Sequence, residues 1–187
     1  MITKKELKTQ QRKEIKQRLI QLSNLDEKSQ AIFEKLKDVE QFRNSKSVFC
    51  YISTKLEVDT SQVISHCFEN NKQLSVPYII EKEMFAITYK SDDKLVENKY
   101  SILEPEFNSD KIVKGIDTII VPLVGFDGVK RLGHGGGYYD KFMQRYPNAF
   151  KIGIAFEEQK ISNLVVEEHD VILDMVITEK EIYTKWE

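Results

Sequence analysis

No apolar run in the 187-residue chain approaches the ~18 residues that a membrane-spanning helix needs, so no span is expected. Cysteine is scarce. The two, Cys50 and Cys67, stand seventeen positions apart with no C-x-x-C and no zinc-ligand spacing. Both sit in apolar surroundings and are expected as buried free thiols of a reducing compartment, not as a disulfide. Net charge is only −2, so no global field draws the chain to nucleic acid or an anionic bilayer. The opening Met1-Ile2-Thr3-Lys4-Lys5-Glu6 leads into no apolar segment of the signal-peptide kind. A cytoplasmic location is expected. Internal repeats, low-complexity tracts and linkers are missing, as is any Ser/His/Asp or Cys/His nucleophile arrangement.

What is present suits one domain with a full core: 41% of residues are apolar and 31% charged. The spacing of Leu7, Ile15, Leu19 and Leu22 predicts a helix over residues 4–22. Leu25, Ser29, Ile32, Leu36 and Val39 mark a second, with Ser23-Asn24 as the break. Strands are expected at 47–52, 73–78, 84–89, 117–122, 150–156 and 171–178, and helices at 58–68 and 138–146. Residues 90–116 are polar and irregular and could form an insertion over an active site. Strands alternating with helices predict an α/β fold: a single domain with a mostly parallel sheet flanked by helices, preceded by an N-terminal helical segment.

Glycine is distributed unevenly. Six of the eight lie between Gly125 and Gly137, and the densest part reads Arg131-Leu132-Gly133-His134-Gly135-Gly136-Gly137-Tyr138-Tyr139-Asp140. An apolar run ending at Pro122 precedes it and a helical pattern follows. Strand, glycine loop and helix N-terminus together form the common phosphate-binding arrangement. Neither a Walker A loop nor a dinucleotide fingerprint fits, because Tyr138 follows Gly137. Arg131 and His134 still add cationic or donor groups. The bland alternative is a flexible surface loop, but each glycine costs roughly 0.5–1 kcal/mol relative to alanine.

Several positions have two readings. Tyr139 shares a stripe with Phe142, Met143 and Tyr146 and is either core or ligand contact; Tyr138 is better placed to face the loop. Asp140 is either a first-turn carboxylate favoured by the helix dipole or a Mg²⁺ ligand. Lys8 and Arg12, one helical turn apart and extended by Lys5 and Lys16, are either a solvated stripe or an arm reaching a phosphate. Glu57 follows the strand of residues 47–52 in a loop and is either surface charge or ligand contact. Glu168-His169-Asp170 precedes the last strand, and Asp174 inside an apolar strand is costly unless paired or functional. His66 is read as structural.

The segment from Pro122 to Asp140 resembles the signature of the 5-formyltetrahydrofolate cyclo-ligase family, also called 5,10-methenyltetrahydrofolate synthetase. The resemblance rests on Gly125-Phe126-Asp127 and on Arg131-Leu132-Gly133-x-Gly135-x-Gly137-Tyr138-Tyr139-Asp140. Lys8-x-x-x-Arg12, the Glu57 loop, Val76-Pro77 and His169-Asp170-x-x-x-Asp174 extend it over nearly the whole chain. It implies an α/β enzyme that converts 5-formyltetrahydrofolate to 5,10-methenyltetrahydrofolate with ATP as co-substrate and Mg²⁺. It further implies that Lys8, Arg12, Arg131, Leu132, Gly133, His134, Gly135, Gly136, Gly137, Tyr138 and Tyr139 bind ATP. Ile52, Glu57 and His134 to Tyr138 would bind the folate, Arg131 and Tyr139 would serve catalysis, and Asp140 and Asp170 would hold the metal.

There are departures at His134, where the family often has Arg, and at Gly136, where some members have Lys. Both lower the fixed positive charge, so ATP binding is expected to weaken or to depend on pH through His134. The resemblance implies small-molecule partners and a monomer, with no nucleic acid or membrane. The alternatives are a non-catalytic nucleotide- or folate-binding protein of this fold, and RNA binding through the basic first helix. The second would show strong salt dependence.

Overall fold

The first helix, α1 (Lys4–Ile20), starts at a capping box. Thr3 Oγ1 accepts from the Glu6 N–H at 3.2 Å, and the Glu6 carboxylate accepts from the Thr3 N–H at 2.8 Å. It ends two residues before the expected boundary, and Asn24 then takes a left-handed φ of 58° that redirects the chain into α2 (Leu25–Asp38). Residues 3–98 and 103–185 are described in the computed structural model of the chain. Met1 and Ile2 of the opening stretch and 99–102 of the polar segment lie outside them.

A short α3 (Glu40–Asn44) leads into β1 (Ser47–Phe49), then α4 (Ser61–Glu69), β2 (Gln73–Ile80) and β3 (Glu83–Thr88). A small pair, β4 (Leu95–Glu97) and β5 (Leu103–Pro105), precedes β6 (Thr118–Pro122). The hairpin β7 (Gly125–Asp127) and β8 (Lys130–Leu132) follows, then α5 (Tyr138–Arg145), β9 (Phe150–Ile154), β10 (Met175–Ile177) and β11 (Ile182–Thr184). The main sheet runs β11-β10-β9-β6-β1-β2-β3. The five inner strands are parallel, and β3 and β11 close the edges antiparallel. The expected α/β architecture is therefore present.

Alternation along the strands sends side chains to two apolar layers. Val48, Ile120 and Ile152 join Ile15, Ile32 and Leu36 from the N-terminal helices. Phe49, Ile119 and Val121 join Phe142 and Met143 from α5. Both faces are covered, as a parallel sheet requires. Cys50 and Cys67 are buried free thiols, as expected. His66 stacks on Phe42 at 5.6 Å between ring centroids, in agreement with a structural role.

Two expectations need correction, and a third segment is placed. The described part of residues 90–116 packs on the sheet edge, where Val113 N–H donates to Ala86 O and Phe107 stacks on Tyr78. The glycine loop does not follow β6 directly, because the β7–β8 hairpin intervenes. Gly128 makes its turn with φ +58°, and a Cβ on Gly125 would press on the buried Ile15 side chain and stand 3.2 Å from Gln159 O. Finally, Asp174 lies before β10 instead of inside a strand, and it is paired. Its carboxylate accepts from Lys151 N–H at 2.8 Å and Lys185 Nζ at 2.5 Å.

Candidate active site

The carboxyl ends of β1, β6 and β9 deliver the segments around residues 50–57, 123–137 and 155–170, the edge where ligands sit in such sheets. Helix α1 lies against this edge and places two cations there. Lys8, only 7% exposed, donates to Asp170 Oδ2 at 2.6 Å and Glu167 Oε2 at 2.7 Å. Arg12 Nε donates to Gly133 O at 2.7 Å. Its guanidinium carbon lies 3.4 Å from where a Gly135 Cβ would stand. Lys5 and Lys16 remain exposed, so the solvated reading holds for them and fails for Lys8 and Arg12.

Arg131, on β8, is 7% exposed. Its Nη1 is 3.3 Å from Asp140 Oδ2, its Nε donates to Pro122 O, and its guanidinium lies 5.4 Å from the centre of the Tyr139 ring. Gly133 permits this packing, since a Cβ there would stand 2.6 Å from Arg131 Nη1. Gly135 (φ +103°) and Gly137 (φ +67°) hold backbone conformations that side chains disfavour. The Tyr138 ring lies against Gly136, 2.8 Å from a Cβ built there, so Tyr138 does meet the loop. Tyr139 is half-buried and meets Phe49 edge-on, which makes it core and site wall at once. Leu132 is 1% exposed, which leaves only its backbone for a ligand. Ile52 is half-buried three residues beyond β1.

On the other side of the loop, Glu57 Oε1 lies 3.8 Å from His134 Nε2, while its Oε2 accepts from Thr54 N–H and Oγ1, both at 2.8 Å. Desolvation holds the His134 pKa below the ordinary histidine value, with Arg131 and Arg12 adding to the effect against the pull of Glu57. Burial, then the charge of Glu57, pushes the Tyr139 hydroxyl well up. Burial works against the Lys8 ammonium, but the bonds to Asp170 and Glu167 outweigh it and raise its pKa. Burial opposes the charged Asp170 too, yet Lys8 and the Glu167 N–H hold its pKa down; Glu167 is held down chiefly by Lys8.

The two carboxylates expected at the metal lie on neighbouring segments but in different pairings, Asp140 Oδ2 with Arg131 Nη1 at 3.3 Å and Asp170 Oδ2 with Lys8 Nζ at 2.6 Å. Asp140 Oδ1 accepts from the N–H of Val171, the residue after Asp170. Ligand atoms of Glu167, His169 and Asp170 lie within 4.8 Å of one another. The two carboxylates of that cluster suit Mg²⁺, which takes one or two carboxylates and shares the rest with other oxygens and water, and Asp140 is not among the cluster's ligand atoms. Glu167 was not singled out in the sequence. Its signal was the acidic run before His169, opposite in charge to the α1 stripe.

The family model for the 5-formyltetrahydrofolate cyclo-ligase family matches residues 4–179. The chain belongs to this family. A Caenorhabditis elegans relative named "Probable 5-formyltetrahydrofolate cyclo-ligase" is 32% identical, the match covering 95% of each chain. Among solved structures, the 5,10-methenyltetrahydrofolate synthetase of Aquifex aeolicus superposes with a TM-score of 0.82 at 30% identity, covering 95% of this chain and 92% of its own. The Mycoplasma pneumoniae synthetase gives 0.70 at 28% identity, covering 92% and 98%. Cyclo-ligase family membership thus spans both the α1 cations and the glycine loop. None of the described helices is long and apolar enough to cross a membrane.

Proposed function

We propose that the chain catalyses ATP- and Mg²⁺-dependent cyclisation of 5-formyltetrahydrofolate to 5,10-methenyltetrahydrofolate, with release of ADP and phosphate. The observation that carries the reading is that Arg12 and Arg131 meet one glycine loop, with Lys8 one helical turn before Arg12 and bonded to Asp170, and with Asp140 on Arg131. Three cations and open backbone suit a triphosphate. The N5-formyl group is amide-like, so its carbon is a poor electrophile and its oxygen a poor leaving group. Attack of the formyl oxygen on the γ-phosphorus breaks the bond to ADP and makes an N5 iminium phosphate. N10 then attacks the formyl carbon and loses its proton to solvent, and the C–O bond breaks to release phosphate.

Such a transfer needs positioning and charge neutralisation more than acid–base chemistry. Lys8 and Arg12 would hold the phosphates from α1. Arg131, fixed by Asp140 and Tyr139, would offer a rigid cation to the transferring group. Glu57 would accept from the N–H groups of the pterin, with Tyr138 packed against it. Asp140 and Asp170 would hold Mg²⁺, which supplies further positive charge at the phosphates. All these roles fall to residues of one chain, and the proposal is of a monomer acting on small molecules in the cytoplasm.

Substrate carrying ¹⁸O in the formyl group tests the route. The label should appear in the released phosphate. Unlabelled phosphate alongside product would refute the phosphorylated intermediate.

A further inference from the structure

The hairpin turn between β2 and β3 faces α5 across a cavity of about 350 Å³. Lys82, Lys141 and Arg145 bring three cations to its wall, and Glu81 and Glu83 two anions. Arg145 and Glu83 cancel each other at 2.6 Å. Arg145 is also held in place by the Met84 carbonyl and by the rings of Phe85 and Phe142. Lys82 and Lys141 are exposed and make no ion pair among the described residues. The remaining charge of the wall, Lys82 and Lys141 against Glu81, is positive. The turn that supplies Lys82 is unusual: Glu81 (φ 46°) and Lys82 (φ 69°) both hold left-handed backbone, where Asn or Gly would be easier.

The cavity adjoins the glycine loop through one side chain. Tyr138 lines it and also lies against Gly136. A ligand whose head sits at Glu57 and Tyr138 can therefore continue past the Tyr138 ring into the cavity.

We infer that this cavity receives the carboxylate-bearing tail of the folate substrate, and that Lys82 and Lys141 set the preference for it. The inference rests on the proposed function. A folate ends in an aminobenzoyl group and a glutamate with two carboxylates. The pterin head accounts for Glu57 and the loop, where the nearest lysine in the sequence is the single exposed Lys55, whereas the cavity wall brings two. The half-buried Tyr138 ring offers apolar surface for the benzoyl ring, and the two lysines offer charge for the carboxylates. Lysine, a hydrated point charge on a flexible stem, suits a mobile tail that stays partly in solvent.

The test is the double variant Lys82→Gln/Lys141→Gln, assayed with 5-formyltetrahydrofolate and with an analogue whose glutamate is replaced by a neutral methylamide. Two exposed ion contacts predict a rise of about three- to tenfold in KM and in calorimetric Kd for the full substrate. The methylamide analogue and ATP should stay within about twofold, with kcat held, since the contacts are uniform binding. Equal losses for both folates, or no loss for either, would overturn the inference. The Kd decides it even if the wild type binds folate without turnover, an outcome that would sink only the proposed reaction.

Discussion

Gly133→Ala is the substitution whose cost the geometry defines most closely. The new Cβ would stand 2.6, 2.7 and 2.9 Å from Nη1, Nη2 and Cζ of Arg131. These atoms end a flexible side chain, so the cost is that of moving Arg131, not the backbone. Arg131 is 7% exposed and bonded to Asp140 and Pro122 O, so displacement leaves Asp140 with a weakened counter-charge in a nearly buried place. Overpacking and a lost charged hydrogen bond suggest about 1–3 kcal/mol. At this chain length that corresponds to a fall of roughly 2–10 °C in Tm by circular dichroism. Activity should fall further, because Arg131 is also proposed to meet the phosphates. Gly115→Ala is the control: nothing lies within 4 Å of its Cβ position, and Tm should change by no more than ~2 °C. Adding Arg131→Ala should remove the clash, so the two effects should be less than additive. A Gly133→Ala protein that melts with the wild type, or a fully additive cycle, would refute the reasoning.

Lys8→Met should lower kcat/KM for ATP by about ten- to a hundredfold, the size of one lost charge-assisted contact. The same variant should change acid stability. The Asp170 and Glu167 pKa values are held down in the fold, so the unfolded chain takes up their protons first. Their contribution is complete above the unfolded carboxylate values near ~4 and fades as pH falls through the folded ones. Acid titration of Tm should show a shallower loss for Lys8→Met than for wild type. His134 is held below its ordinary pKa, so its charge should appear only in acid, lowering the ATP KM there. His134→Arg should flatten that profile, and an unchanged profile would discount His134. Cys67, with its thiol pushed up to about 12 and buried, should resist maleimide until the protein unfolds.

Local pattern predicted α1, α2, α4 and α5 and a mostly parallel sheet, because those helices carry spaced apolar residues and the inner strands are β-rich, but it missed the short α3. Boundaries failed where tertiary bonds decide them. Strand β1 stops at Phe49, and the Tyr51 hydroxyl instead reaches Val58 O, which postpones α4 to Ser61. The β7–β8 hairpin was legible in principle, since Asp127-Gly128 is a strong turn pair, but the glycine density masked it. Gly135 and Gly137 stood out from the local density of glycine, and both hold positive φ. The Lys8 pairing was not legible: its partners lie 159 and 162 residues away, and no local rule connects them. For the same reason Asp174 resembled a functional residue until its bonds to Lys151 and Lys185 were seen.

The most direct test of the central claim is near-ultraviolet absorbance of the protein with 5-formyltetrahydrofolate and Mg²⁺, with and without ATP. Growth of the methenyl-folate band only when ATP is present, and its loss in Lys8→Met, is the predicted result. No band in the wild type, with folate or ATP still bound by calorimetry, would contradict it and leave a binding protein in the cyclo-ligase fold.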